Sequence, residues 1–363
     1  MKDVVDHMAS SETAVQTSIS SRRDDHARVD QAKVRWPKRF LLHIARRARE
    51  NERLYGLVLR IFRGLQRIGV NVSPNHFYWP IPDLRDLEKR EWHLYFGSGY
   101  DLRLDEQVTF AEEIVATHVK ECDFGEEPSE GGAYHFNNGF FETVDAEVAY
   151  AMLRHYKPSC VIEIGSGYST RVLAKAMRAN REYDGVEGKL ITIDPDPDRL
   201  PCNGMEDFVT YLQKPVQDID LDVFKKLESG DVLFIDSSHV AGIGSDVVRE
   251  FLEILPVLNP GVIIHVHDIF LPCDYPRHAV LHHFWFWSEQ YLLQAFLTFN
   301  SNFQVLWASS AMQFFHPSVL ERCFPRWKRS YRSMPSAKRR LVPSIDDERV
   351  WPSSFWMRRC DAS

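Results

Sequence analysis

The segment Val161-Ile-Glu-Ile-Gly-Ser-Gly-Tyr-Ser-Thr170 constrains the chain most, because a short apolar run passes directly into two glycines and then into helix-forming sequence. Glycines at such a turn let the backbone bend sharply and approach a ligand closely, and the helix that follows begins with free N–H groups. A strand-turn-helix of this kind suits a nucleotide-like ligand. Downstream, β-rich runs alternate with helical patterns. Strands are expected over 161–164, 190–193, 209–212, 232–235 and 262–266, with helices over 169–178, 220–227 and 246–255. This alternation predicts crossover connections and an α/β fold with a mainly parallel, Rossmann-like sheet. The remainder adds a helix over 279–296, a strand over 304–308 and a late strand over 355–358 expected at the sheet edge.

The strand ends carry polar groups toward one crevice, where open α/β sheets bind ligands. Asp194 ends the second strand, and its carboxylate can accept bonds from two ribose hydroxyls; Gln217-Asp218 follows the third strand and Asp236 ends the fourth. A nicotinamide or flavin fold expects a third glycine where Thr170 stands. Glu163 also fits poorly beside a pyrophosphate and suits a ligand with cationic sulfonium and ammonium groups.

These residues resemble the motifs of class I S-adenosylmethionine-dependent methyltransferases. Glu163-x-Gly-x-Gly167, Asp194 and Asp231-Val-Leu-Phe-Ile-Asp236 look like motifs one, two and four, and Gly261-Val-Ile-Ile-His-Val-His-Asp268 resembles the fifth-strand motif of small-molecule O-methyltransferases. The resemblance covers roughly 134–359 and implies a seven-stranded sheet. It implies S-adenosyl-L-methionine as cofactor, with Gly165, Gly167 and Glu163 at the methionine part, Asp194 at the ribose and Asp218 near the adenine. Related metal-dependent enzymes use an acid after strand four and an acidic pair after strand five. Asp236 and Asp268 match these positions, and His267 replaces the remaining acid.

Asp236-Ser-Ser-His239 and His265-Val-His-Asp268 concentrate acids and imidazoles at two strand ends. Side chains alternate along a strand, so His265 and His267 share a face and Asp268 joins them only past the strand terminus. Three readings stand. Asp236, His267 and Asp268 hold a divalent metal, Mg, Mn, Fe or Zn, that acidifies an acceptor hydroxyl; or His239 or His267 serves as general base without metal; or the cluster is structural. Asp236, His239, His267 and Asp268 are thus the candidate catalytic residues.

Three regions are expected: a disordered tail over 1–32, a helical and extended cap or lid over 33–130, and a catalytic domain over 131–363. The tail is rich in Ser, Asp, Arg and Thr and poor in large apolar groups. Over 37–70, Phe40, Leu41, Ile44, Leu54, Leu57, Val58, Ile61, Phe62, Leu65 and Ile68 recur at helical spacing with arginines between them, a pattern that fits either a packed cap or a surface for anionic lipid. His76-Phe-Tyr-Trp79 and Phe284-Trp-Phe-Trp287 fit either core packing or a pocket cover. No apolar run approaches the ~20 residues of a membrane span, and the acidic N-terminus fits no secretory or transit signal, so a cytoplasmic location is expected. The six cysteines include no Cys-x-x-Cys pair, against a zinc ribbon or disulfide framework. Net charge is -7 despite basic clusters at 33–67 and 326–340, so nucleic acid is a poorer partner than a small hydroxylated molecule. A donor-binding module without catalysis is the other alternative.

Overall fold

The computed structural model describes residues 52–73, 75, 78–90, 99–129, 132–196, 209–327 and 352–361. The expected tail at 1–32 and most of the basic cluster at 326–340 lie outside them. The chain divides into two compact units, Met1–Trp79 and Pro80–Ser363. Helix α1 (Glu52–Arg67) is the described helix of the first unit.

The second unit is built on a seven-stranded sheet in the order β3-β2-β1-β4-β5-β7-β6. Its strands are β1 (Cys160–Ile164), β2 (Lys189–Ile193), β3 (Val209–Leu212), β4 (Val232–Ile235), β5 (Ile263–Val266), β6 (Phe303–Ala308) and β7 (Phe355–Arg359). β1 to β5 pair in parallel, and β7 runs antiparallel to both β5 and β6. The two-residue period of a strand sends alternate side chains to opposite faces. Val161, Val232, Phe234 and Ile263 enter one core, whereas Ile162, Ile164, Leu233, Ile235 and Ile264 enter the other. Burial on both faces explains why these strands read as continuous apolar runs.

Helix α2 (Leu84–Leu87) and helix α3, which begins as Leu104–Phe110 and continues through a π-helical stretch Ala111–Val115, precede the sheet. Helices α4 (Asp145–Tyr156) and α5 (Tyr168–Asp184) cover the first face. After the short α6 (Leu221–Phe224), the second face is covered by α7, which starts as Asp246–Arg249 and passes into a π-helical stretch Glu250–Ile254. Helices α8 (Arg277–His282), α9 (Glu289–Leu297), α10 (Ser309–Phe315) and α11 (Pro317–Cys323) complete the unit.

Two expectations meet a different arrangement. The late strand β7 is interior and β6 forms the edge; Phe355, Trp356 and Met357 are apolar toward both faces and fully buried, which an edge position would leave half-exposed. The helix expected over 279–296 is two, α8 and α9, because Phe284 adopts φ +59 and the backbone N–H groups of Ser288 and Glu289 donate to the His239 carbonyl at 2.9 and 3.2 Å. Ahead of the sheet, Ala111, Val115, Cys122 and Phe124 share the core of α4 and α5.

Buried Asp231 fastens the start of β4 to the start of β1. Its Oδ1 accepts from the Ser159 N–H (3.0 Å), the Ser159 hydroxyl (2.9 Å) and the Cys160 N–H (2.8 Å), and its Oδ2 accepts from the Glu228 N–H at 2.9 Å. Asp231→Ala leaves these buried donors unpaired and should lower unfolding stability by about 3 kcal/mol, with Asp231→Asn recovering part of the loss in denaturant melts. Equal midpoints for wild type and Asp231→Ala would contradict this.

Candidate active site

β1 runs into Gly165-Ser-Gly167 and then into α5. Gly165 adopts φ +87. A Cβ there would stand 1.9 Å from the Asp236 carbonyl oxygen, so only glycine lets this loop lie against the end of β4. At Gly167 a Cβ would meet nothing within 4 Å, which leaves open space over the loop for a ligand. Asp194, past the end of β2, braces the same loop: Oδ2 accepts from the Ser166 N–H (2.8 Å) and hydroxyl (2.9 Å), and Oδ1 from the Asp196 N–H at 2.8 Å. Each carboxylate oxygen accepts more than one bond, so the brace still leaves acceptor capacity for ligand hydroxyls.

Glu163 is placed differently from what its neighbourhood in sequence suggests. It is fully buried and accepts from the hydroxyls of Ser169 (2.8 Å), Thr170 (2.7 Å) and Thr192. Burial raises its pKa to about 7, against the lowering by these hydroxyls. Its carboxyl group joins β1, β2 and α5 from inside and has no surface to offer a sulfonium. Asp218 ends the 3-10 turn Val216–Asp218 and is exposed, while the Gln217 amide donates to the Gly244 carbonyl at 3.1 Å.

Beside the glycine loop, Asp236, His239, His267 and Asp268 converge just past β4 and β5. The chain reaches this arrangement through left-handed residues, His239 at φ +61 and Asp268 at φ +55, each costing roughly 1–2 kcal/mol. His267 Nδ1 lies 3.5 Å from Asp236 Oδ1 and 3.8 Å from Asp268 Oδ1; His239 Nε2 lies 3.6 Å from Asp236 Oδ1 and 3.4 Å from Asp268 Oδ2. These separations exceed ordinary hydrogen bonds. They are close to the roughly 3–3.5 Å between neighbouring ligands held at about 2.1 Å from one ion. Ligand atoms of Asp236, His267 and Asp268 all lie within 4.8 Å of one another, so these three fit a shared divalent cation.

Two buried carboxyl groups stand behind the imidazoles. Glu289, at the start of α9, is 2.8 Å from His239 Nδ1. Asp145, at the start of α4, has Oδ2 3.7 Å from His267 Nε2, and also accepts from the Ser309 hydroxyl and the N–H groups of Ser353 and Ser354. The Ser353 hydroxyl donates to Asp268 Oδ1 at 3.1 Å. Burial disfavours ionised Asp236, but the His267 and His239 imidazoles outweigh it and hold the carboxyl well below its usual range. For His267 the same opposition ends with the pKa well raised by Asp268, Asp236 and Asp145. His239 is driven down by burial, yet Glu289, Asp268 and Asp236 lift it to about 9. Behind Glu289, buried Glu250 accepts from the Ser237 hydroxyl at 3.1 Å; burial and the nearby Glu289 raise its pKa strongly.

His265 shares the strand face of His267, as alternation requires, but belongs to the core. Its ring stacks on Phe234 with centroids 3.8 Å apart, its Nε2 pairs with the Ser354 hydroxyl at 2.9 Å, and burial beside His267 keeps it neutral. The aromatic series 284–287 is a loop, and Trp287 lies against His239 with ring centroids 4.6 Å apart. That places one aromatic wall at the cluster. Of the connector at 76–79, His76 and Phe77 lie outside the described residues.

A family model described as a methyltransferase domain matches residues 162–269, from β1 through the glycine loop to just past β5. An uncharacterized protein of Archaeoglobus fulgidus is 32% identical over 183 residues, 47% of this chain and 81% of that protein. Residues 162–269 thus carry a methyltransferase domain. Among solved structures, this methyltransferase is similar to SAH-bound PaMTH1 of Podospora anserina, at 18% identity over 58% of this chain and 85% of that one, with TM-score 0.33. It is also similar to the O-methyltransferase TomG of Streptomyces achromogenes in complex with SAM, at 19% identity over 56% and 82%, with TM-score 0.34.

The proton on His239 of the methyltransferase gives a signed pH dependence. Its folded pKa of about 9 lies above the ordinary histidine value of 6.5, so its stabilisation is complete below pH 6.5 and lost as pH rises through about 9. In chelator-treated protein, the stability difference between wild type and His239→Gln should therefore shrink across this window. A difference that stays constant or widens with pH would contradict the charge assigned to this imidazole.

Proposed function

We propose that the enzyme methylates a hydroxyl oxygen of a small-molecule acceptor, with Asp236, His267 and Asp268 holding a divalent metal ion beside the donor. One observation supports this reading: the glycine loop lies directly against the Asp236 backbone, which sets the expected donor-binding turn beside the acid-imidazole cluster. Methyl transfer forms an O–CH3 bond as the C–S bond of the sulfonium breaks, and the acceptor must lose one proton. A divalent cation held there by Asp236, His267 and Asp268 would supply Lewis acidity toward an acceptor hydroxyl and would offset the carboxylate charge that holds the His239 proton.

The chain's own residues supply the rest. Glu289 receives the Nδ1–H of His239 and aims Nε2 between Asp236 and Asp268, where an acceptor oxygen has its proton to give. Trp287 forms an apolar wall on one side of that imidazole. Asp236 keeps 29% of its side chain exposed and Asp268 18%, so a ligand can reach both acids, whereas His267 at 5% is held from behind. A hydroxyl is favoured over an amine or thiol because a hard oxygen nucleophile most needs help in shedding its proton at neutral pH.

Donor consumption over hydroxylated, amino and thiol acceptors, with and without chelator, tests this. Turnover should be confined to hydroxylated acceptors, fall at least ~100-fold for Asp236→Asn and be removed by chelation and restored by added metal. Undiminished turnover in metal-free protein would remove the metal from the account. Turnover on amines or thiols alone would remove the oxygen acceptor.

A further inference from the structure

Helix α1 takes no part in the catalytic reading, and the inference drawn from it stands independently of that reading. At 100° per residue, Leu57, Ile61, Leu65, Val58 and Phe62 occupy one arc of roughly 140°, and Arg63, Arg67, Arg60 and Arg53 occupy a separate arc on the other side. The apolar side is open: Leu57 keeps 53% of its surface exposed, Ile61 55%, and Ile68, just past the helix, 72%. Packed stripes in a folded domain do not retain such exposure. From Arg53 to Pro82 the sequence contains no acidic residue, and Arg46, Arg47 and Arg49 extend the positive charge upstream.

We propose that α1 is an interfacial helix that binds an anionic lipid surface, with its apolar arc among the acyl chains and its arginines on the phosphates. Its length agrees, since 16 residues span about 24 Å, short of a ~30 Å hydrocarbon core, and no helix among the described residues is long and apolar enough to cross a membrane. Arginine stems bury along the apolar surface while the guanidinium groups reach the phosphates. The charge sets the partner: Arg60, Arg63 and Arg67 complement anionic headgroups, whereas an uncharged apolar groove would engage the leucine side alone.

Flotation of the full chain with vesicles tests this. The protein should bind phosphatidylglycerol-containing vesicles, bind phosphatidylcholine vesicles far less, and release as salt is raised. Replacing Arg60, Arg63 and Arg67 together by glutamine should lower partitioning on the order of 100-fold at low salt. Ile61→Asp should lower it by at least ~10-fold. Both changes lie within the first unit, and the thermal unfolding of the second unit should be unaltered and serves as the folding control. Equal partitioning onto the two vesicle types, or unchanged binding by Ile61→Asp, would overturn the proposal. Self-association that Ile61→Asp abolishes, without enrichment on anionic vesicles, would also overturn it and assign the face to a second copy of the chain.

Discussion

The contact between Gly165 and the Asp236 carbonyl is the constraint on which the site depends. The turn after β1 and the turn after β4 are brought so close that a single methyl group on Gly165 could not fit between them. Parallel pairing of β1 with β4 sets these ends side by side, and the fully buried strand residues fix the register. Glycine then permits the positive φ that carries the loop across the strand end. The proposed chemistry rests on that proximity: the glycine loop on one side, acids and imidazoles on the other, with Asp194 bracing the loop from the β2 side.

Around the cluster, carboxyl groups outnumber imidazoles, and two of them, Asp145 and Glu289, are buried. Asp236, Asp268, Asp145 and Glu289 surround His239 and His267. Without a cation, both imidazoles are held toward their protonated forms, which suits neither of them to accept a proton. On the proposed reading, a cation held by Asp236, His267 and Asp268 would relax that hold and leave His239 able to accept a proton. Glu289 and Asp145 set which nitrogen of each ring faces the crevice, the role outer carboxylates play behind metal-bound histidines.

The sheet was legible because its strands are buried on both faces and punctuated by Gly, Pro and Asp, so β1 to β5 stand within a residue of expectation. The interior place of β7 was not legible, since a late strand reads the same at an edge or inserted between neighbours. In the site, Asp236, His239, His267 and Asp268 could be named from strand-end motifs. Glu289 and Asp145 could not: each begins a helix remote in sequence from the residue it supports, and a lone acid in a first helical turn ordinarily signals only a favourable dipole. Glu163 shows the opposite case. Its place two residues before Gly165 suggested a ligand partner, but three hydroxyls from β2 and α5 occupy it, which only the packing reveals.

The most direct test of the central claim, that the glycine loop braced by Asp194 holds the methyl donor, is calorimetric titration of S-adenosylmethionine into wild type and Asp194→Ala. Loss of hydrogen bonds to a charged carboxylate should weaken donor binding roughly 10- to 100-fold while the thermal transition persists. No binding by wild type at millimolar donor, or equal affinity in the two proteins, would contradict the account.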